Sequence, residues 1–75
     1  MINIDIRLDT IDRVYAFVAT LTKYEYEVDV ASGRYLVNGK SIMGLFSLDL
    51  LAPVQLTIHA EKADDLVAEL APYLA

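Results

Sequence analysis

Three segments of this 75-residue chain alternate between apolar and polar residues, so each has one apolar side. They cover residues 2–9, 24–30 and 53–61. An alternation with a period of two residues is typical of a β-strand that buries one face. A sheet built from such strands is covered on one side and open to water on the other. The alternation therefore requires every helix of the chain to lie on the same side of the sheet.

The segments between these strands predict helices and one hairpin. Asp9 and Thr10 supply cap chemistry before a helix over residues 11–24. The Ser32-Gly33 turn makes residues 24–38 a hairpin. Ser41 begins a short helix, and residues 63–74 form an amphipathic helix. The apolar residues of the first helix recur at helical spacing and are expected to be buried: Ile11, Val14, Phe17, Val18 and Leu21.

The predicted order is β-α-β-β-α-β-α, an α+β fold in which a four-stranded, mostly antiparallel sheet carries three helices on one face. We expect residues 1–75 to form a single domain. The other face of the sheet is expected to be open to water and polar. Its predicted residues are Asp5, Arg7, Glu27, Asp29, Thr57 and His59.

Composition and charge exclude several classes of protein. With 56% hydrophobic residues and no cysteine, the chain is expected to form a packed core without disulfides or a cysteine-based metal site, and we expect no metal and no cofactor. A net charge of −5 opposes binding to nucleic acid and to anionic membranes. The sequence shows neither a signal peptide nor a run of about 18 apolar residues, so we expect a cytoplasmic protein without membrane insertion.

The stretch GKSIMGLFSLDLLAPVQLTIHAE, residues 39–61, resembles the second half of HPr, the histidine-containing phosphocarrier of the bacterial sugar phosphotransferase system, in its Gram-positive form. The element order is also that of this family. The similarity extends through Phe17 and Val18 over essentially the whole chain and is most specific in KSIMGL. The resemblance implies an HPr-like open-faced β-sandwich and a role in sugar transport or its regulation.

The resemblance also implies that the family's phosphoryl-carrying site is altered here. In register with the family, Thr10 occupies the position of the phosphorylated histidine, Asp12 that of the arginine and Arg13 that of the proline. Phosphoryl transfer at that site needs an imidazole nitrogen and a cation near helix N-terminal amides. Asp9 and Asp12 would instead repel a phosphoryl group. We therefore predict no phosphohistidine relay and no catalytic residue at this site, and we expect Thr10 or Asp9 to cap the helix.

Two other polar residues, His59 and Ser41, are candidates for a function. His59, the only histidine, is expected on the open face of the sheet. It could accept a phosphoryl group or respond to pH, but an exposed histidine on a strand is most often only a solvated side chain. Ser41 matches the serine that an ATP-dependent kinase phosphorylates in Gram-positive HPr, after which the protein acts as a corepressor. A phosphate there would meet helix N-terminal amides, and Lys40 would add a cation. Serine is also a common N-cap residue for structural reasons alone, so its presence at the start of this helix does not require a kinase.

The short helix has more apolar residues than it can bury. In HPr the exposed apolar side chains of this helix dock onto partner proteins, and Met43 and Phe46 match them. The resemblance implies phosphotransferase-system enzymes, the HPr kinase or a catabolite regulator as protein partners. The predicted docking residues are Ile42, Met43, Leu45, Phe46 and Leu50.

Three functions remain open from the sequence. The first is an HPr-like regulatory or adaptor protein. The second is a structural domain that self-associates into a homodimer through the same apolar residues. The third, and least favoured, is a small acylphosphatase-like enzyme, which needs an arginine and an asparagine that converge on a phosphate. No paired donors or glycine-rich loop surround Arg7 and Asn38, so we do not expect an enzyme.

Overall fold

The computed structural model describes residues 1–75 and contains four strands and three helices in the predicted order. A single 3-10 turn follows the last helix. None of the helices has the length and apolar character needed to cross a membrane. The elements are β1 Ile2–Ile6, α1 Ile11–Thr22, β2 Val28–Ser32, β3 Tyr35–Asn38, α2 Ile42–Phe46, β4 Val54–Ile58 and α3 Asp64–Glu69.

The four strands form one sheet in the order β1-β4-β2-β3, and every neighbouring pair is antiparallel. The central strand β4 pairs on one side with β1, with Val54 opposite Ile6, and on the other with β2, with Leu56 opposite Val30. Gly33 turns the chain between β2 and β3 at φ 60°, a conformation that glycine adopts without a steric cost. The predicted antiparallel sheet and its tight turn are confirmed.

One apolar core lies between the sheet and the helices. The inward side chains of the strands meet the buried faces of α1, α2 and α3, and no polar or charged side chain is buried. Each large apolar side chain removed from water in this way contributes about 1.5–3 kcal/mol. The fully buried large side chains are Phe17, Ile6, Leu8, Leu21, Leu45, Leu56, Ile58, Leu66, Leu70, Val14 and Val30.

The connection between α1 and β2, residues 23–27, is neither helix nor strand, although the sequence predicted that both elements reach residue 24. Tyr24 and Tyr26 stack with ring centroids 6.0 Å apart. The Tyr26 hydroxyl donates a hydrogen bond to Asp65 (2.9 Å), and the Tyr24 hydroxyl donates to Glu69. The two tyrosines therefore fasten this connection to α3 instead of pairing in a strand.

The C-terminal helix is shorter than the predicted span of residues 63–74. α3 ends at Glu69, and the chain continues as a 3-10 turn over Ala71–Tyr73. Pro72 has no backbone N–H and its ring clashes with the preceding helical turn, so the α-helix does not continue through it. Because of this break, the last residues turn back towards the sheet.

The last residues lie along the end of β1. Leu74 forms an antiparallel bridge with Ile6, and the backbone N–H of Ala75 donates to the carbonyl oxygen of Asp5 (3.1 Å). These contacts place the C-terminal segment beside the connection that leads from β1 into α1.

Candidate docking surface and the start of the first helix

Thr10 is the N-cap of α1. It has extended backbone angles (φ −132°, ψ 155°), and its Oγ1 accepts a hydrogen bond from the backbone N–H of Arg13 (3.1 Å). Asp12 lies in the first turn, where a carboxylate interacts favourably with the helix dipole. The residues at the start of α1 therefore make the contacts of an ordinary helix cap.

Arg13 is held by contacts within the molecule. Its Nε and Nη2 donate to the carbonyl oxygen of Arg7 (3.3 and 3.0 Å), and Nη2 also donates to the carbonyl oxygen of Pro72 (3.0 Å). The guanidinium lies 3.4 Å from Asp9 Oδ1 and stacks over the ring of Tyr73, 5.2 Å from its centroid. Arg13 thus joins α1 to the β1–α1 connection and to the C-terminal segment through its Nε and Nη2 donors.

The single histidine lies on the uncovered face of the sheet, as expected. His59 Nε2 is 2.6 Å from Asp29 Oδ2, and both side chains are about one-third exposed. On the same face, Thr57 Oγ1 donates to Asn3 Oδ1 (2.9 Å). These pairs form a row of polar cross-strand contacts on the side of the sheet that carries no helix.

Ser41 caps α2, and its Oγ accepts a hydrogen bond from the backbone N–H of Gly44 (3.0 Å). A Cβ atom at Gly44 would lie 3.1 Å from Ser41 Oγ and 3.1 Å from Val37 Cβ, so the glycine permits the close approach of the cap and β3. Lys40 does not supply the free cation that the sequence suggested. Its Nζ donates to the carbonyl oxygen of Tyr24 (2.6 Å).

Four exposed apolar side chains on α1 and α2 form what we call the α1–α2 apolar surface: Ile11, Tyr15, Met43 and Phe46. Their exposed fractions are 64%, 52%, 84% and 41%. Each helix contributes two residues spaced by three or four positions, which lie on one side of a helix. Tyr15 and Phe46 meet edge to face with ring centroids 6.0 Å apart, so the two helices present this surface together.

The structure separates the predicted docking residues into three groups. Met43 and Phe46 are exposed, whereas Ile42 and Leu50 are partly buried against the core, and their role in docking stays a prediction. Leu45 is fully buried, so the prediction that it contacts a partner is wrong. Two helical positions separate Leu45 from Met43, which turns its side chain by about 200° towards the core.

Sequence reasoning missed the contribution of α1 to this surface. Ile11 was expected in the core but is exposed, because the buried face of α1 begins one turn later at Val14. Tyr15 was not considered. The available signal was the four-residue spacing of these two side chains, which aligns them with each other on the helix.

The tyrosine–carboxylate contacts at the α1–β2 connection shift three pKa values. The hydrogen bond to Glu69 raises the pKa of Tyr24 to about 12, from its usual 10.0. The hydrogen bond to Asp65 likewise raises the pKa of Tyr26. Hydrogen bonds from Lys23, and then from Tyr24, lower the pKa of Glu69. Near neutral pH the two tyrosines therefore stay protonated and Glu69 stays ionised, which are the states in which their hydrogen bonds hold the α1–β2 connection against α3.

The enzyme alternative finds no support in the geometry. Arg7 follows β1 and Asn38 ends β3, and these strands are the two edges of the sheet, so the two side chains do not converge. An open cleft of about 530 Å³ borders the α1–β2 connection, but its tyrosines are bonded to Asp65 and Glu69. The two tyrosine hydroxyls of this cleft therefore act in holding the fold.

A family comparison matches most of the chain. The PTS-HPr family model, described as "PTS HPr component phosphorylation site", matches residues 14–75. The match therefore begins inside α1, after the Thr10 cap. A search of curated proteins found no match.

Solved structures match the fold. A structure of HPr-C-His from Thermoanaerobacter tengcongensis has a TM-score of 0.76 and 26% sequence identity, and the match covers 95% of this chain and 85% of that one. A structure of the phosphocarrier protein HPr from Bacillus anthracis str. Ames has a TM-score of 0.76 and 22% sequence identity, and the match covers 99% of this chain and 94% of that one. The second likeness shows the fold alone.

Proposed function

We propose that this chain, which belongs to the HPr family of the phosphotransferase system, is a regulatory or adaptor protein. In this role it binds a protein partner through the α1–α2 apolar surface. The family consists of phosphocarriers rather than catalytic enzymes. In this proposal the chain does not relay a phosphoryl group through a histidine. The cytoplasmic location expected from the sequence stays a prediction.

The observation that carries the proposal is the start of α1. Thr10, which the family register places at the phosphohistidine position, acts as a cap, and Arg13 is bonded to backbone carbonyls. A phosphocarrier site needs an imidazole and a free cation. His59 is paired with Asp29 on the uncovered face of the sheet, on the other side from α1. These contacts favour a family member that has kept the fold and the docking helices without the relay.

Phosphorylation of Ser41 is the second part of the proposal. The residue lies in KSIMGL, the most specific part of the family resemblance, and its hydroxyl is only partly buried at the start of α2. A phosphate would take the place of the cap and meet the backbone N–H groups of the first turn. In this role Ser41 would add negative charge beside the α1–α2 apolar surface and change its choice of partner.

Intact-protein mass spectrometry tests both parts. One reaction contains phosphoenolpyruvate and Enzyme I of the phosphotransferase system, and the other contains ATP and the HPr serine kinase. We expect a gain of about 80 Da, one phosphoryl group, only with ATP, and we expect Ser41→Ala to abolish it. Circular dichroism of Ser41→Ala must match that of the unmodified chain.

The other outcomes are equally informative. A gain with phosphoenolpyruvate would overturn the claim that the relay is absent, and repeating the reaction with His59→Gln would identify the acceptor. No gain with either donor would remove Ser41 from the proposal and leave the docking function.

Docking is tested with purified Enzyme I and HPr kinase as probes. We expect Phe46→Glu to weaken binding at least about tenfold, because a buried aromatic contact is replaced by a charge. Leu36→Glu is the matched control, since Leu36 is also exposed but lies on β3. Equal affinities for the Phe46→Glu and Leu36→Glu variants would contradict docking through this surface.

A further inference from the structure

The charges beside the α1–α2 apolar surface are not balanced. α1 and α2 together contain two charged residues, Asp12 and Arg13. Arg13 is bound to the carbonyls of Arg7 and Pro72, whereas Asp12 is exposed and its carboxylate makes no hydrogen bond or ion pair with another side chain. Asp12 is therefore the one free charge on the two helices that carry the surface.

Asp12 is close to the apolar residues of α1. It follows Ile11 directly and precedes Tyr15 by three positions, a spacing at which two side chains are neighbours on a helix. A carboxylate in this position is at the border of the exposed apolar area. Any partner that covers Ile11 and Tyr15 brings its own border residues near Asp12.

The nearby cations are used inside the molecule. The ammonium of Lys40, which precedes the Ser41 cap of α2, donates to the carbonyl of Tyr24, and that of Lys23, directly after α1, is bonded to Glu69. The three cations without such contacts lie outside both helices, in the connections or turns of the sheet: Arg7, Arg34 and Lys62. The surface thus combines an apolar centre with one free carboxylate, Asp12, beside it in a chain of net charge −5.

We infer that the partner that covers the α1–α2 apolar surface is a protein surface with an apolar centre and lysine or arginine residues at its border, placed to meet Asp12. This inference rests on the proposed docking function and adds the charge of the partner. Border charges act mainly on the association rate and on the choice among partners. A free carboxylate beside exposed apolar residues therefore favours a basic partner over an acidic one.

The same charges argue against a second copy of this chain. Two copies that met through this surface would each carry a charge of −5 and would bring their Asp12 side chains to one interface. Like charges at an interface are unfavourable. A homodimer through Phe46 is therefore an outcome that would overturn the inference.

The test uses two designed helical peptides with the same Leu and Phe face. One carries lysines and the other glutamates on both sides of that face. Their dissociation constants for the full chain are measured by fluorescence anisotropy at about 30 mM and about 300 mM NaCl, because salt screens exposed charges. We expect the lysine peptide to bind at least about tenfold more tightly at low salt and this preference to shrink at high salt.

Charge reversal locates the effect. Asp12→Lys should weaken binding of the lysine peptide about three- to tenfold and strengthen binding of the glutamate peptide, which is the size expected for an exposed ion pair turned into a repulsion. Asp5→Lys is the matched control, since it makes the same change of charge on the uncovered face of the sheet. A general attraction between a basic peptide and an acidic protein would respond equally to both variants.

Each outcome bears on the inference. Equal affinities for the two peptides, or equal effects of Asp12→Lys and Asp5→Lys, would overturn it. If Phe46→Glu still abolished peptide binding in that case, the docking surface of the proposed function would stand without its charge preference. A dimer of the chain alone that Phe46→Glu dissolves in sedimentation velocity would assign the surface to a second copy and also overturn the inference.

Discussion

Arg13 connects three parts of the chain that are distant in sequence. Its guanidinium binds the carbonyls of Arg7 and Pro72, approaches Asp9 and covers the ring of Tyr73. A planar guanidinium can hold two acceptors and stack on a ring at the same time, which an ammonium group cannot. Arg13 therefore has a structural reason to be an arginine that is independent of any phosphate.

Replacing Arg13 tests this role. We expect Arg13→Ala to lower the free energy of unfolding by about 1–2 kcal/mol, because two carbonyls lose a charged donor at a partly exposed site. Arg13→Lys should recover less than half of that loss, since the lysine keeps the charge but not the planar fork. Urea denaturation measures both changes. Equal stability of Arg13→Lys and the unmodified chain would show that the charge alone is needed.

The contact between Tyr24 and Glu69 predicts a pH dependence at the alkaline end. The folded state raises the pKa of Tyr24 to about 12, so it favours the protonated phenol. The resulting stabilisation is complete below the usual pKa of 10.0 and is lost as the pH rises towards 12. Tyr24→Phe, which cannot ionise, should therefore lose stability less steeply than the unmodified chain over this range.

The chain has five tyrosines, so the ionisation of Tyr24 is obtained as the difference between the alkaline phenolate-absorbance titrations of the unmodified chain and of Tyr24→Phe. Glu69→Gln should move the late ionisation back towards 10.0, because the hydrogen bond to the Glu69 carboxylate is the first cause of the shift. An unchanged titration curve in Glu69→Gln would contradict this contact. At the acid end the sign is reversed: the lowered pKa of Glu69 gives stability that is present above its usual 4.5 and is lost as the pH falls below it.

Among the elements, α2 shows how a helix of five residues is specified. Ser41 caps its start, Gly44 lets the cap and β3 approach, and Leu45 anchors it in the core. With one fully buried residue, α2 depends on its cap more than a long helix does. Met43 and Phe46 stay exposed because Leu45, the one fully buried side chain of α2, fixes the orientation of the helix.

Cap variants test this dependence. Ser41→Ala should lower the free energy of unfolding by about 0.5–2 kcal/mol, whereas Ser41→Asp, which keeps an acceptor oxygen, should lose much less. Ser47→Ala provides the control on the same helix, because the Ser47 hydroxyl donates to the exposed carbonyl of Gly44. The measurement is urea denaturation. If Ser47→Ala lowered the free energy of unfolding as much as Ser41→Ala, the N-cap would contribute no more to the stability of α2 than the other serine does.

The elements also show which features the sequence could predict. Alternation predicted three of the four strands and the uncovered face, and the Ser32-Gly33 turn predicted the fourth strand as the second arm of a hairpin, because these features depend on local patterning. The C-terminal helix was extended too far, although Pro72 was visible as a breaker. The attachment of Tyr24 and Tyr26 to α3 could not be predicted from the sequence. Their hydrogen-bond partners, Glu69 and Asp65, are about 40 residues away along the chain, beyond the reach of local patterns.

The candidate site was predicted less well than the fold. Met43 and Phe46 were correctly expected at the surface, whereas the burial of Leu45 and the exposure of Ile11 depend on where each short helix contacts the core. Helical periodicity gives the relative direction of side chains but not the absolute rotation of a five-residue helix. The α1 half of the surface follows from the contact between Tyr15 and Phe46, which only the tertiary structure provides.

At the scale of the whole molecule, charge opposes self-association. The chain carries −5 near neutral pH and has an isoelectric point near 4.5, while its exposed apolar residues include Met43 and Phe46. Net charge of one sign keeps proteins with exposed apolar surface apart, and this repulsion vanishes at the isoelectric point. The balance between these two forces should therefore be set by pH.

Sedimentation velocity tests this balance. We expect a monomer at pH 7 and association as the pH approaches 4.5, with Phe46→Glu reducing the association at the lower pH. Leu36→Glu again serves as the control for a change elsewhere on the surface. A stable dimer at pH 7 would mean that apolar contact outweighs the repulsion and would favour the self-associating alternative.

The pairing of His59 with Asp29 also has a practical use. Because the chain has one histidine, its imidazole protons give a single, unambiguous set of signals in an NMR spectrum. This reporter sits on the face of the sheet without helices, so partner binding at α1 and α2 should leave it in place, whereas phosphorylation of the ring itself would move it strongly. The chemical shift of this one imidazole can therefore be followed while a partner is added, and an unchanged shift reports that the uncovered face has not changed.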